Sequence, residues 1–381
     1  MQLSNKTILI ISPNNWGKIH VSKHHYAIEL AKRGNKVFYL EPSISKNKKG
    51  FFVRSEEDGI KVVTQSMHLF AEFLRFKVRW FYNVYCYFFI RKLMNNINQQ
   101  FDIVWCFDTN LYSNLKWFNA QYCIYHPVDL AVYDFQRKIS TTADIVFTVS
   151  ENIVKDFLPY NNKVFLINHG LNIHFKNIAE KKLMALKKEV STIQSEIKVA
   201  FVGNLLRPEI NRDLILDLIL SFPKIIFNFW GPRILEESNI DGEMGEDTNA
   251  FIKNLYNAPN VILHGVLTGP KLFHQLISQD ILLLPLNITQ NYDGSNSHKI
   301  IEYLSTGKVI VSNFVSTYSN LNLLEMAASD KKEDIKIIFD KVRLNIVYFN
   351  SFEKMRSRIE FALNNAYNKQ IDRIEEYINN V

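Results

Sequence analysis

The segment LPLNITQNYDGSNSHKIIEYL at 284–304 combines the residue types that hold a polyanion and a sugar together. Ser297 is the kind of residue that caps a helix, so a helix is expected to open there, with first-turn amides beside His298 and Lys299. Helix-start N–H groups and a lysine ammonium make a positive site suited to a diphosphate. Glu302, one turn on, could accept two hydrogen bonds from a ribose diol. Tyr292 in the preceding loop, and Phe229 from an earlier strand-like run, could border a nucleobase. Arg207, in NLLRPEINRD at 204–213, follows a strand-like run ending at Gly203 and would add positive charge. Each has a plainer reading: a solvated Lys and Glu on a helix face, core aromatics, a surface arginine.

Such residues need elements to position them. KTILII at 6–11 reads as a buried parallel strand, residues 22–33 as an amphipathic helix closed by Gly34, and KVFYL at 36–40 as a second strand. That βαβ unit seeds a nucleotide-binding type of sheet. Residues 51–64 read as a hairpin or irregular excursion and 69–98 as one long aromatic helix. Short apolar runs at 102–107, 120–125, 144–149 and 163–167 continue the sheet. The pattern then lapses into Lys-rich helix and resumes with KVAFVG at 198–203. Further strands are expected at 225–230, 261–264, 281–285 and 309–312, and helical spacing at 352–381. The expected organisation is therefore α/β: a first Rossmann-like domain at 1–172, a linker at 173–195, a second Rossmann-like domain at 196–352, and helices at 353–381 returning to the first. Open α/β sheets bind ligands at the carboxyl ends of their strands, which places the expected site in a cleft between the domains.

Composition narrows the class. The chain has 381 residues, 47% hydrophobic and 22% charged, enough for two folded domains. Cys86, Cys106 and Cys123 are an odd number without CxxC spacing, so neither a disulfide framework nor a zinc knuckle is indicated. The apolar run at 7–11 is too short for a secretory segment, and the aromatic run at 80–90 falls short of the roughly 20 residues of a spanning helix; a cytoplasmic location is expected. The net charge of +7 is uneven. Residues 1–172 hold 21 Lys and Arg against 13 Asp and Glu, while the remainder is nearly balanced. The first half is thus expected to face an anionic partner.

Taken in order, the pieces resemble a known family. KIIEYLSTGKVIVS at 299–312 resembles the K-x-x-E-Y-L-A-x-G-K-P-V-V segment of GT-B glycosyltransferases of group 1, whose Lys and Glu contact the donor's phosphates and ribose. Trp16 followed by HHYAIELAKRGNKVFYLEPS at 24–43 resembles the opening of teichuronic acid and xanthan-type bacterial glycosyltransferases, with Lys23-His24 where an Arg-Pro pair is usual. ADIVFTVSENIVKDF at 143–157, VFLINHGLNIHF at 164–175, VAFVGNL at 199–205 and FWGP at 229–232 are similar to further segments of that family.

The resemblance implies a GT-B fold and transfer of a sugar from a nucleotide donor, UDP favoured, to a glycan or lipid-linked acceptor in polysaccharide biosynthesis. No cofactor is implied. It also assigns the base. Asp129, in IYHPVDLAVYDF at 124–135, is similar to the segment supplying the catalytic Asp of the xanthan-type glucuronosyltransferase; His126 and then Asp134 are the alternatives, and a helix cap or a core histidine is the plainer reading. Trp16 and His20, in the opening loop, fall on the acceptor side. The chain lacks a D-x-D cluster, so no metal is expected. Position 294, eight before Glu302, is Gly with Asp293 adjacent, an incomplete version of the glutamate pair of retaining enzymes; this favours inversion. A retaining GT-B transferase, a GT-B sugar-nucleotide epimerase and a non-catalytic two-lobed binding protein remain alternatives.

One stretch lies outside that scheme. FAEFLRFKVRWFYNVYCYFFIRK at 70–92 interleaves aromatics with Arg75, Lys77, Arg79, Arg91 and Lys92. Such a helix can lie in a lipid headgroup layer, giving a peripheral contact with the inner face of the cell membrane; an aromatic core helix with a basic rim is the alternative. Its clustering with apolar neighbours disfavours a stacking platform for nucleic acid.

Overall fold

The computed structural model describes residues 1–17, 19–43, 51–56, 59–67, 69–186, 196–237, 244–287, 296–327 and 332–381. They form two compact units, one of residues 1–168 with 367–381, the other of 169–366.

In the first unit an eight-stranded sheet runs in the order β3-β4-β2-β1-β5-β6-β7-β8. Its strands are β1 (Thr7–Ile11), β2 (Lys36–Leu40), β3 (Phe51–Ser55), β4 (Lys61–Gln65), β5 (Ile103–Cys106), β6 (Tyr122–Tyr125), β7 (Ile145–Thr148) and β8 (Val164–Leu166). All neighbours pair parallel except β3 and β4, which form an antiparallel hairpin. Helices α1 (Ser22–Lys32), α2 (Leu69–Lys77), α3 (Arg79–Ile97), α4 (Asp134–Ile139) and α5 (Glu151–Phe157) cover it. Along β1, Leu9 and Ile11 enter one core while Ile8 and Ile10 enter the other. That alternation buries both faces, which is why the strands read as unbroken apolar runs.

The second unit repeats the plan with six parallel strands in the order β11-β10-β9-β12-β13-β14. These are β9 (Lys198–Val202), β10 (Ile226–Trp230), β11 (Val261–Gly265), β12 (Ile281–Leu284), β13 (Val309–Ser312) and the short β14 (Glu325–Met326). The helices α6 (Ile173–Ala185), α7 (Arg212–Ser221), α8 (Glu246–Asn257), α9 (Gly269–Ile277), α10 (Lys299–Ser305), α11 (Lys332–Leu344), α12 (Ile346–Phe349) and α13 (Phe352–Asn364) belong to it. Val199 and Phe201 face one core and Ala200 the other.

Three details depart from the sequence reading. Residues 173–185, assigned to a linker, form α6, whose Phe175 and Ala179 are buried in a core of the second unit. Of the two long C-terminal helices, α13 belongs to the second unit, where buried Arg358 donates to the Leu323, Gly307 and Phe349 carbonyls. Only α14 (Tyr367–Asn380) joins the first, placing Ile371, Ile374 and Ile378 in its core. Each buried Ile contributes roughly 1.5–3 kcal/mol, and Arg33 pairs with Asp372 at 2.7 Å to fix the helix laterally. Finally, the helix expected over 69–98 breaks at Val78, whose φ of −137° and ψ of 67° are not helical.

Candidate functional site

Both sheets have a topological switch point, where strand order reverses and loops diverge to leave a crevice. In the second unit it falls between β9 and β12. The loops leaving these strands are joined: Asn211 N donates to Pro285 O at 2.9 Å and Asn287 N to Glu209 O at 2.8 Å. Gly203 N donates to Trp230 O at 2.9 Å. Gly231, at φ 144°, approaches so closely that an added Cβ would stand 1.8 Å from the Gly203 carbonyl oxygen. Only glycine fits there.

Beside this turn lies α10. The Tyr303 hydroxyl accepts from Val202 N at 2.7 Å, anchoring the helix to the end of β9. The helix cap is His298, already at φ −57° and ψ −22°, not Ser297; the Ser297 carbonyl accepts from Ile300 N at 3.0 Å. Lys299 and Glu302 follow at i and i+3, both half-buried. Burial lowers the Lys299 pKa, opposed by Glu302 and reinforced by Arg207. Lys299 forms no ion pair among the described residues.

Glu302 accepts a hydrogen bond from the Asn172 side-chain amide at 2.9 Å. Burial raises its pKa to about 7, with Lys299 and then Asn172 pulling it back. Arg207 pairs with Glu209, its Nε donating at 2.8 Å. His169 bonds the Asn296 carbonyl at 2.6 Å and packs edge-on to His298 with ring centres 6.1 Å apart. At the end of β13, Ser312 Oγ and Asn313 Nδ2 are buried without a partner among the described residues. Such groups cost about 1–3 kcal/mol each. Tyr292, with Asp293 and Gly294, lies outside the described residues. Phe229 is 1% exposed and belongs to a core.

In the first unit the switch point lies between β1 and β5, and Trp16 and His20 occupy the loop after β1. Both are half-buried. Trp16 N donates to buried Glu41 at 2.8 Å, and its ring packs edge-on to Tyr39 at 4.9 Å. His20 stacks on His24 with centroids 5.0 Å apart and planes at 4°. His24 is fully buried, accepts from Val21 N at Nδ1 and meets Asn15 O and the Tyr39 hydroxyl at Nε2. Burial depresses its pKa to about 3, so it is neutral and positions the loop. Glu41 also holds Arg54 at 2.8 Å.

Asp129 sits exposed in the loop between β6 and α4. His126 does not share that setting: its N–H continues the β6 ladder to Cys106 O, its ring stacks on Phe107 at 4.8 Å, and Trp105 Nε1 donates to its Nδ1 at 3.3 Å. It is a core histidine, 1% exposed, and not a base candidate. Asp134 opens α4, pairs with Lys138 at 2.7 Å and accepts from Tyr160, which together lower its pKa and make it a weak base.

Residues that sequence reasoning missed are Asn172, His169, Tyr303 and Gly231. Asn172 and His169 lie in VFLINHGLNIHF at 164–175, singled out only for its resemblance; nothing local shows that this segment closes on α10.

The sequence matches no protein-family model and no curated protein. Solved structures do match over the whole chain. A sucrose-phosphate synthase from Thermosynechococcus elongatus is similar with a TM-score of 0.71 at 11% identity, covering 98% of each chain. A trehalose-6-phosphate synthase, studied for glycosyl transfer with retention, has a TM-score of 0.70 at 10% identity over 98% of this chain and 99% of its own. Anabaena HepE, solved with UDP and glucose, has a TM-score of 0.66 at 12% identity over 99% and 100%. The fold is GT-B. The second unit carries Lys299, Glu302 and Arg207, and the first carries Trp16, His20 and Asp129. Among the described residues no helix is long and apolar enough to cross a membrane.

Proposed function

We propose that the chain is a glycosyltransferase moving a sugar from a nucleoside diphosphate donor, UDP favoured, to a hydroxyl of a glycan or lipid-linked acceptor at the inner face of a membrane, in the building of a polysaccharide. The observation that carries this reading is Lys299: a half-buried ammonium without an ion pair among the described residues, three positions from a carboxylate held by Asn172. Burial disfavours the ammonium and Glu302 offsets this only in part, so a diphosphate would supply the further negative charge that a partly desolvated cation calls for. Lys299 and Arg207 would neutralise the leaving diphosphate, and Glu302 would accept the ribose hydroxyls. The bond from the sugar's anomeric carbon to the phosphate oxygen breaks as the acceptor oxygen bonds that carbon. Asp129 takes the acceptor's proton, which implies inversion and needs no metal.

Retention is the second reading, favoured by the similarity to a trehalose-6-phosphate synthase studied for that outcome. The anomeric proton coupling of the first product separates the two. The donor site itself is tested by calorimetry of the intact protein with UDP, GDP, TDP and ADP in the presence of EDTA, repeated on Lys299→Ala. Binding of one diphosphate without metal, weakened about tenfold or more in the variant, supports the reading. Binding of none overturns it.

A further inference from the structure

The break at Val78 makes α2 and α3 a helix pair, and their outward side is unusually apolar. Buried Tyr82, Cys86, Phe89, Ile90 and Leu93 face the core. The opposite side of α3 carries Trp80, Phe81, Val84, Tyr87 and Phe88, with Trp80, Phe81 and Phe88 exposed by 67%, 56% and 64%. Steps of three and four place these along one stripe of a helix about 28 Å long. Phe73 and Phe76 extend it onto α2, and Phe76 lies 5.8 Å from Tyr133 in the segment joining the Asp129 loop to α4. A contiguous exposed apolar face of this size marks an interaction surface.

Its charges say what covers it. Lys77, Arg91 and Lys92 are exposed at its margins and form no ion pair among the described residues. Lys77 lies over the Phe73 ring at 4.7 Å and Arg91 over Tyr87 at 5.5 Å, so the cations ride on the aromatic rings. Arg75 and Arg79 instead donate to the Asn110 carbonyl and brace the helices. No acid occurs in α3. Tyr87 and Arg91 also border a groove of about 740 Å³ with Lys116 and Trp117.

We propose that the α2–α3 face docks on an anionic phospholipid surface, with Trp80, Phe81 and Phe88 in the acyl boundary and Lys77, Arg91 and Lys92 on lipid phosphates. Aromatic rings inside a basic margin suit the headgroup layer, where apolar burial and charge attraction act together. A second copy fits less well, because a twofold contact would set the same cations against each other. The docking does not depend on the donor reading, and its test uses no nucleotide.

The test is flotation of the whole protein with phosphatidylcholine vesicles, with and without phosphatidylglycerol, at low and raised salt. Wild type is expected to float with the anionic vesicles and to be released by salt. Phe81→Ser with Phe88→Ser should reduce binding tenfold or more at unchanged melting temperature, since both side chains point to solvent. Arg91→Gln with Lys92→Gln should remove most of the preference for phosphatidylglycerol. Failure of wild type to float with anionic vesicles at low salt overturns the proposal, as does undiminished flotation of the serine variant. A wild-type dimer that the serine substitutions dissolve, with no flotation, overturns it in favour of self-association.

Discussion

The Asn172 side chain uses both ends at once: its carbonyl oxygen accepts from Phe175 N at 3.0 Å to cap α6, and its amide donates to Glu302 at 2.9 Å. One residue thereby starts a helix and fixes the orientation of a carboxylate 130 positions away. Asn172→Asp separates the two duties. Asp caps as well as Asn, so the start of α6 should survive, while a second buried carboxylate beside Glu302 should raise the Glu302 pKa further and lower the melting temperature at neutral pH. UDP-sugar affinity at neutral pH should fall about tenfold, read by calorimetry; unchanged affinity would remove Glu302 from the donor site.

Under the proposed donor reading, Glu302 makes donor binding depend on pH. Its pKa of about 7 in the folded chain lies above the ordinary 4.5, and the ribose contact needs the ionised form. UDP-sugar binding should tighten by up to about tenfold as pH rises from 6 to 8, and Glu302→Gln should flatten the dependence. Stability moves the other way. The group contributes most below about pH 4.5, and that contribution is lost as pH rises through 7, so Glu302→Gln should raise the melting temperature at pH 8.

His24 sets a limit on the acid side. Its folded pKa of about 3 is below the ordinary 6.5. The unfolded chain therefore takes up a proton first as pH falls, and the first unit should lose stability between about pH 6.5 and 3. Urea unfolding at pH 7 and pH 5 should show that loss, and His24→Asn should diminish it while lowering stability at pH 7.

Gly231→Ala places a methyl group 1.8 Å from the Gly203 oxygen at a φ of 144°. The expected destabilisation is about 3 kcal/mol or more, read as a lower melting temperature. A variant as stable as wild type would show that the turn is free to open.

Asp129→Asn should leave both melting temperature and donor affinity within error, because the side chain is exposed on the first unit. Transfer should fall by about 10²- to 10⁴-fold if it is the base. An unaffected rate would leave inversion without its base and favour the retaining reading.

Much of the scaffold was legible because strands buried on both faces cannot hide. KVFYL at 36–40 and VIVS at 309–312 read as strands and are β2 and β13. The failures have physical causes. The run at 173–185 is Lys-rich and only Phe175 and Ala179 of α6 are fully buried, too weak an apolar signal to distinguish a packed helix from a linker. The Val78 break carries no Pro or Gly to announce it. In the site, the i and i+3 spacing of Lys299 and Glu302 could be read directly. The partner of Glu302 could not, since nothing local links Asn172 to α10. For His126 the sequence left a base and a core histidine both open, because it looks like the first loop residue after YCIY; its N–H extends the ladder and its ring is buried against Phe107, which is the core reading.

The first unit is discontinuous, opening at residue 1 and closing with α14. During synthesis, the ribosome must complete all of the second unit before it makes the helix that packs on Tyr26 and completes the core containing Ile8 and Ile10. The second unit is a continuous stretch and can fold as it emerges. Released chains ending at residue 366 should therefore show a protease-resistant second unit and a first unit that is still cleaved. A synthetic peptide spanning 367–381 should restore resistance when added in trans, making the last helix the step that finishes the first domain.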